Sequence, residues 1–182
     1  MILPIYLYGQ PVLRKKAKDI EQDYPNLEAL VDNMYQTMYY SNGIGLAGPQ
    51  IGLNKKIFVT DGTPMEEDYP ELAGSKRVFI NPEITSFSEE TNLMEEGCLS
   101  LPDIHEKVPR SLSITMNYYD EQFIFHENQT FHGFCARMIQ HEYEHLQGHV
   151  FTDNVQPSRR QIISNRLQKI AKGKVHCDYK VK

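Results

Sequence analysis

The sequence has 182 residues, of which 40% are hydrophobic and 24% charged, a composition that fits one globular domain, 1–182, with a single core. It has no apolar run of the roughly 20 residues needed to cross a bilayer, and its first charges follow its apolar N-terminal stretch, so we expect neither a membrane protein nor a secretory signal peptide. The three cysteines are widely spaced and odd in number, which favours reduced thiols and a cytoplasmic location.

Charge is unevenly distributed along the chain, whose net charge is −5. Residues 159–182 contain eight lysines and arginines and one aspartate, a net charge of +7, whereas the first 158 residues carry −12. We expect a basic C-terminal helix and tail that either binds an anionic partner or forms a solvated helix face. Charge alone does not decide between the two.

The N-terminal part begins with a predicted helix over residues 25–41. Apolar residues recur there at helical spacing, Pro25 suits the first turn, and Asn42 with Gly43 ends the helix. The next stretch, GIGLAGPQIG at 43–52, is so rich in glycine and proline that we expect no regular structure in it.

Two strands are predicted in the middle of the chain. Residues 55–60 read as the first, and residues 76–84 as the second, which Pro82 interrupts. Between them, residues 61–75 are polar and acidic and are expected to form a loop.

The C-terminal part contains a predicted hairpin and two helices. Residues 111–120 and 123–128 read as paired strands, residues 131–146 as a helix, and a last helix begins after Pro157 with Ser158 as its N-cap. Strands and helices alternate without a βαβ rhythm. We therefore predict an α+β fold, with a mostly antiparallel sheet packed around a central helix and with an N-terminal and a C-terminal helix.

The predicted central helix carries the pattern H-E-x-x-H. Four helical positions advance about 400°, so His141 and His145 share one face and could bind one cation. Glu142 is rotated about 100° from His141, where it could take a proton from a water molecule near the cation without binding the cation itself. The pattern also occurs by chance on ordinary helices. A buried cluster of this kind without a cation would, however, carry an uncompensated charge, so we favour a metal site.

A catalytic site of this type needs a third protein ligand and one open position. Phe151 stands where an H-E-x-x-H protease would carry a third histidine, and no glutamate follows the second histidine. Upstream, EEGCLSLP contains Cys98 in what we predict to be a turn, and its thiolate would complete a Cys/His/His set. Cys135 would lie on the opposite side of the helix and Cys177 in a frayed tail, so both are weaker candidates.

Three segments in order resemble one family, the peptide deformylases. GIGLAGPQ at 43–50, EGCLS at 96–100 and QHEYEHL at 140–146 are similar to that family's G-x-G-φ-A-x-x-Q, E-G-C-L-S and Q-H-E-x-D-H-L. The separations fit as well, and the similarity extends from PVLR near the N-terminus to the C-terminal helix.

This chain differs from the family pattern at three positions. Gly48 stands where the family has a second alanine, Glu144 where it has an aspartate, and His105 where it often has an arginine. None of the three is an expected ligand or the expected base.

The resemblance implies hydrolysis of the formyl group from the N-terminal formyl-methionine of newly made polypeptides, with release of formate. It implies one divalent metal ion, usually Fe²⁺ in cells, with Zn²⁺, Ni²⁺ or Co²⁺ able to replace it. The implied ligands are Cys98, His141 and His145. Glu142 would be the general base, and the Gln50 side-chain amide and the Leu99 N–H would face the negative oxygen that forms on the attacked carbon.

The resemblance also implies an apolar slot for methionine. The residues expected to contact the substrate are Ile44, Gly45, Met94, Glu96, Phe134 and Met138. Glu96 and Arg110 match family positions close to the site, and either could support a ligand instead of touching the substrate. Bacterial members of the family act on chains that leave the ribosome, so ribosomal RNA is a candidate partner for the basic C-terminal helix.

Two other functions are compatible with parts of the sequence. A metalloprotease that uses the same H-E-x-x-H helix would cleave internal peptide bonds and would take its third ligand elsewhere than at Cys98. A binding module without catalytic activity would be expected to have lost a ligand or the base. All four residues of the expected set are present.

Overall fold

We describe the fold from a computed structural model of residues 1–182. Three helices surround the sheets: α1 (Leu27–Tyr40), α2 (Gly133–Leu146) and α3 (Pro157–Ala171). The strands are β1 (Gly45–Ala47), β2 (Ile57–Thr60), β3 (Arg77–Phe87), β4 (Thr91–Cys98), β5 (Leu101–Ser111), β6 (Ser113–Tyr119) and β7 (Phe125–His132). All paired strands are antiparallel. The predicted α+β fold with an antiparallel sheet around a central helix is confirmed.

The larger sheet has five strands in the order β1-β2-β3-β6-β7, and β4 with β5 forms a separate hairpin. Every residue of β2 is buried, although successive strand residues point to opposite faces. Phe58 packs in the apolar cluster that contains α2, whereas Ile57 and Val59 pack in the cluster that contains α1. The sheet is therefore covered by a helix on each face, which explains why β2 is a continuous apolar run.

Helix α2 is the most deeply buried of the three helices. Its buried residues include apolar side chains such as Ile139 and Leu146, but also four polar ones: Arg137, Gln140, Glu142 and His145. Buried polar groups are costly unless they find partners. Gln140 donates one such hydrogen bond, from Nε2 to the Ser111 carbonyl oxygen over 2.9 Å. The helix that carries H-E-x-x-H thus lies inside the molecule.

The hairpin β4–β5 is absent from the sequence prediction, which placed Cys98 in a turn. Cys98 is instead the last residue of β4 and pairs with Leu101, so that the turn consists of Leu99 and Ser100. The buried face of β5 carries two charged side chains, Glu106 and Arg110, among its apolar ones. Strand prediction looks for apolar residues at alternate positions. Because charged residues occupy two of these positions in β5, its sequence lacks that pattern.

Two further segments are more ordered than predicted. Residues 43–52 contain the edge strand β1 and a 3₁₀ turn over Gly48–Ile51. The predicted loop 61–75 contains 3₁₀ turns at Thr63–Met65 and Pro70–Leu72, and it buries Leu72 completely. In residues 43–52, backbone pairing with β2 orders the chain in spite of its glycines. In residues 61–75, burial of Leu72 does so in spite of the acidic composition.

Strand β3 does not stop at Pro82. It continues to Phe87, with a shift of register between Ile80 and Glu83 in its pairing with β6. Asn81, in the left-handed region at φ +48°, begins this irregularity. Pro82 has no N–H to donate to a neighbouring strand, and the bulge at this position leaves it unpaired. In this way β3 tolerates a proline in its interior.

The C-terminal predictions hold with small shifts of boundary. The predicted hairpin is β6–β7, and α2 begins two residues later than expected because β7 runs to His132. The N-cap of α3 is Gln156 without a side-chain cap bond, so the N-cap prediction for Ser158 is wrong. Ile163 is buried on the inner face of α3, whereas its neighbour Ile162 is 63% exposed. None of the helices has the length and apolar character needed to cross a bilayer.

Candidate metal centre

Three potential metal-binding atoms converge between the end of β4 and helix α2. One ligand atom each from Cys98, His141 and His145 lies within 4.8 Å of the other two. The Cys98 Sγ and His145 Nε2 atoms are 3.4 Å apart. Ligand atoms around one tetrahedral cation lie roughly 3.5 Å from each other when the bonds are about 2.0–2.3 Å long. Both histidines share one face of α2, as their spacing predicts, and the thiol reaches them from the hairpin.

The carboxylate of Glu96 orients the first histidine. His141 Nδ1 lies 2.8 Å from Glu96 Oε1, so the ring donates there and directs Nε2 towards the site. Arg110 donates twice to the same carboxylate, over 2.9 and 3.0 Å, and Arg137 donates from Nη1. Burial would raise the pKa of Glu96, but the hydrogen bonds from His141 and Arg110 hold it well below its usual value. These bonds fit the expected alternative in which Glu96 supports His141.

The same network accounts for Glu144, one of the departures from the family pattern. Glu144 Oε1 lies 2.6 Å from Arg110 Nη1, and both of its oxygens accept from Asn154 Nδ2, at 2.9 and 3.0 Å. The longer side chain therefore bridges Arg110 on β5 to the segment that follows α2. The carboxylate is about one quarter exposed, so it sits at the outer end of the network.

The two histidines differ in their electrostatic surroundings. Burial, together with the charges of His141 and Arg110, lowers the pKa of His145 well below its usual value and keeps its ring neutral, the form that binds metals. For His141 burial also acts downwards, but the hydrogen bonds to Cys98 and Glu96 raise its pKa well above the usual value. The Cys98 and Glu96 side chains that raise the pKa of His141 stabilise a positive charge at this ring. A metal cation bound to the ring would supply such a charge.

Glu142 lies beside the three ligand atoms without being one of them. It is 5% exposed, and burial raises its pKa to about 7. Its Oε2 is buried without a hydrogen-bond partner, as is Nδ1 of His145. A side chain at Gly45 would place its Cβ 2.5 Å from Glu142 Oε1, so the carboxylate packs directly on the backbone of β1.

The side-chain amide of Gln50 reaches the site from the 3₁₀ turn after β1. Its Oε1 accepts from the Ala47 N–H over 2.9 Å, which turns the amide nitrogen towards the thiol. Nε2 then donates to Ser100 Oγ over 3.2 Å and to Cys98 Sγ over 3.5 Å. Gln50 is 1% exposed, so this orientation is fixed by its surroundings.

A cavity of about 770 Å³ opens onto these groups. Five of the predicted substrate contacts line it: Ile44, Gly45, Glu96, Phe134 and Met138. Met94 does not line the cavity, which corrects its predicted place there. Leu99 also lines the cavity, next to the thiol.

Sequence reasoning missed several residues of the cavity wall. Met65, from the predicted acidic loop, lines it, and the nearby Tyr69 ring packs on Phe134 with 4.6 Å between ring centroids. The C-terminal residues 176–179 line it as well. No local pattern marks these positions, because only long-range packing brings them to the site.

The other two departures from the family pattern also have structural settings. At Gly48 an added Cβ would lie 2.8 Å from the Lys55 carbonyl oxygen, so this chain has no room for the alanine there. His105 lines the cavity, and its Nδ1 would lie 2.8 Å from a Cβ at Gly97. Its imidazole therefore forms part of the wall beside the EGCLS segment.

Comparison with known proteins agrees with this site. The sequence model of the family described as Polypeptide deformylase matches residues 2–161. The chain is 44% identical to a protein of Christiangramia forsetii named "Peptide deformylase", across 100% of this chain and 96% of the relative. It is 45% identical to a protein of Flavobacterium johnsoniae with the same name, again across 100% and 96%.

Solved structures show the same likeness. The "Plasmodium falciparum peptide deformylase complex with inhibitor" superposes with a TM-score of 0.80 at 32% identity, over 92% of this chain and 99% of that chain. The Thermotoga maritima peptide deformylase gives a TM-score of 0.77 at 36% identity, over 86% and 99%. Sequence, fold and the convergence of a thiol with two imidazoles thus lead to one conclusion: this chain belongs to the polypeptide deformylase family.

Proposed function

We propose that this chain, acting as one catalytic domain over 1–182, removes the formyl group from the N-terminal formyl-methionine of newly synthesised polypeptides and releases formate. The observation that carries the proposal is the convergence of Cys98, His141 and His145 within 4.8 Å of one another beside the buried carboxylate of Glu142. That arrangement provides a cation site and a proton acceptor at one end of a cavity open to a peptide.

The donor set fits a divalent transition metal. A thiolate and two imidazoles suit Fe²⁺, Zn²⁺, Ni²⁺ and Co²⁺, and we propose Fe²⁺ as the ion used in cells. The buried Glu142 Oε2 atom has no hydrogen-bond partner in the protein chain, so this carboxylate oxygen is available to a water molecule at the site. A cation bound there would supply a Lewis acid that makes a water molecule acidic near neutral pH.

Glu142 is proposed as the general base. Its pKa of about 7, raised by burial, lets it accept a proton from water at neutral pH and return that proton to the amine that leaves. Its position is held by the backbone of Gly45, against which the carboxylate packs. Proton transfer needs such a fixed acceptor within hydrogen-bond reach of the reacting atoms.

Two donors are proposed for the oxygen of the formyl group. Attack on the carbon moves negative charge onto that oxygen, and fixed N–H groups aimed at it stabilise the transition state. Gln50 Nε2 is directed to this region because its Oε1 is engaged by the Ala47 N–H. The N–H of Leu99, the residue after the thiol, is the second proposed donor.

The methionine side chain is proposed to enter the apolar part of the cavity. Ile44, Phe134 and Met138 line that part, together with Met65, which the sequence did not reveal. β1 pairs with β2 on one side only and is the edge of its sheet, so the backbone at Gly45 is available to pair with an extended peptide. An edge strand beside the reacting centre would align the formyl group with it.

The decisive experiment measures formate release from a formyl-methionyl peptide by wild type and by Glu142→Ala, with bound metal quantified in both proteins. The variant is expected to keep its metal and to lose turnover. Glu127→Ala, at an exposed position of β7, is the matched control and should behave as wild type. Equal formate release by wild type and Glu142→Ala would show that the proposed base is wrong.

The metalloprotease alternative has no observation in its favour. The third candidate ligand comes from Cys98, and the relatives and structures described above are deformylases. Mass analysis of the same reaction distinguishes the two activities, because deformylation removes one formyl group and leaves every peptide bond intact. Shorter peptide fragments would support the protease.

We further propose that the protein acts in the cytoplasm and that α3 docks it on ribosomal RNA. Arg160, Arg166, Lys169 and Lys172 are exposed on α3, whereas Ile163 and Leu167 are buried against the body. Arg159 is held by two hydrogen bonds to Glu106, over 2.7 and 3.1 Å, and is less available. Exposed cations suit phosphate binding without sequence preference.

The double variant Lys169→Glu/Lys172→Glu tests this docking without removing the tail. Co-sedimentation with ribosomes at low salt should weaken, while turnover of a short formyl-peptide stays within about twofold of wild type because neither lysine lines the cavity. Lys15→Glu/Lys16→Glu, an exposed pair near the N-terminus, is the control for charge alone. If both double variants sediment like wild type, α3 is not the docking surface.

A further inference from the structure

The segment after α3 returns to the metal centre. Gly173, with φ +70°, follows the end of the helix, and residues 180–182 then run alongside the N-terminal segment. The Ile5 N–H donates to the Lys180 carbonyl over 2.9 Å, and the Lys182 N–H donates back to the Ile5 carbonyl over 2.9 Å. This tail lies beyond residue 161, where the match to the family's sequence model ends.

The tail and the N-terminal segment hold the same turn between them. The Tyr8 N–H donates to the Ser100 carbonyl over 2.8 Å, and the Tyr179 hydroxyl donates to the Leu99 carbonyl over 2.6 Å. Both carbonyls of the Leu99–Ser100 turn are therefore anchored by remote parts of the chain. The Tyr179 ring is half-buried and packs against the same apolar cluster as the Leu99 side chain. This packing of the ring fixes the position of the hydroxyl.

Anchoring the Leu99 carbonyl restricts the N–H of the same residue. A residue has only two soft backbone dihedrals, and the strand pairing of Cys98 with Leu101 already limits the chain on both sides of the turn. The Leu99 N–H and carbonyl lie in successive peptide planes that these two dihedrals join, so holding the carbonyl through Tyr179 narrows the orientations that the N–H can adopt. Stabilisation of a developing charge depends on donors that are fixed before the reaction.

We propose that Tyr179 is a positioning residue for deformylation, which fixes the Leu99 N–H towards the oxygen of the formyl group through the Leu99 carbonyl. The proposal rests on the proposed function, and in particular on the role given to the Leu99 N–H. Tyr179 does not need to touch the reacting atoms, and it acts only through the turn. Tyr179 thereby becomes part of the working site, whereas the composition of residues 159–182 indicated only a basic helix and tail.

The test compares Tyr179→Phe with Tyr119→Phe. The first variant removes one hydroxyl and keeps the ring; the second does the same in β6, at a half-buried tyrosine that packs on Phe123 and Phe125 away from the cavity. In Tyr179→Phe, kcat per bound metal ion should fall about tenfold, the upper range for one hydrogen bond, with KM within about twofold of wild type. Tyr119→Phe should change neither constant.

Hydrogen exchange provides a readout that does not depend on activity. In Tyr179→Phe, amides of residues 97–101 should exchange faster than in wild type, while those of 113–119 keep their rate. An unchanged kcat overturns the proposal even if exchange at 97–101 is faster, and so does an equal fall in kcat for Tyr119→Phe. Absence of formate release by wild type would refute the proposed function itself, and unchanged exchange at 97–101 would then independently refute the anchoring of the turn.

Discussion

The two sides of the metal centre are built in different ways. On one side, α2 presents His141 and His145 from consecutive turns of a helix that is covered on nearly all its faces. On the other side, Cys98 comes from a hairpin end whose turn is held by hydrogen bonds from Tyr8, Gln50 and Tyr179. The first side depends on local helical geometry and burial, and the second on segments that are far apart in the chain. Changes that disconnect the two sides should therefore lower both the free energy of unfolding and turnover, whereas changes within one side should lower mainly one of the two.

The largest effect is expected for Glu96→Gln, because this carboxylate lies on the hairpin and holds His141 on the helix. Losing the charge leaves Arg137 and Arg110 poorly compensated in a buried site, which should cost about 3 kcal/mol of unfolding free energy. Metal affinity or turnover should fall by roughly 10–100-fold. Urea unfolding and metal titration measure the two effects. The neighbouring exposed residue supplies the control, Glu95→Gln, and equal stability of the two variants would contradict the role of Glu96.

An intermediate effect is expected for Gly45→Ala, which acts on the helix side alone. The new Cβ would lie 2.5 Å from Glu142 Oε1, so the carboxylate must move away from its position beside the ligands. A displacement of about 1 Å in a reacting group can cost about 10²-fold in kcat. Metal content should stay unchanged, because no ligand is displaced. Gly74→Ala, where an added Cβ meets nothing within 4 Å, serves as control, and wild-type kcat in Gly45→Ala would show that Glu142 tolerates the shift.

The smallest effect is expected for Glu144→Gln at the outer end of the network. The pair with Arg110 is partly exposed, and such pairs contribute about 1 kcal/mol or less. For a protein of this size that corresponds to a decrease of about 2–4 °C in Tm, which differential scanning calorimetry resolves. Turnover should stay within about twofold of wild type. A loss of stability as large as that of Glu96→Gln would contradict this prediction, because the Glu144–Arg110 pair would then contribute as much as the buried Glu96 network.

Local patterns in the sequence are sufficient to locate the helix side of the site. The H-E-x-x-H spacing predicts a shared face for the histidines, because helical geometry is fixed within one turn. The motif EGCLS points to Cys98, although the strand that carries it was missed. Its neighbour β5 buries Glu106 and Arg110, and a charged residue inside a strand conceals the apolar alternation that marks strands.

The cavity wall could not be predicted in the same way. Met94 was expected in it and lies outside, whereas Met65 and Tyr179 line it without any signal in their own segments. For Glu96 the sequence left two roles open, and its bonds with Arg110 and His141 favour support of the metal site. Each of these outcomes depends on which distant segments pack together.

Residue types and their spacing along the chain were sufficient to propose the chemistry: a thiol, two imidazoles and a carboxylate, the last three of them on one helix. Residue types and spacing within one helix are local properties, so they can be read along the chain. The tertiary structure alone decided that a hairpin end meets that helix, that a buried ion network joins them, and that both ends of the chain hold the turn after Cys98. These contacts join residues that are 45 to 92 positions apart, and only the packing of a complete core determines which such segments meet.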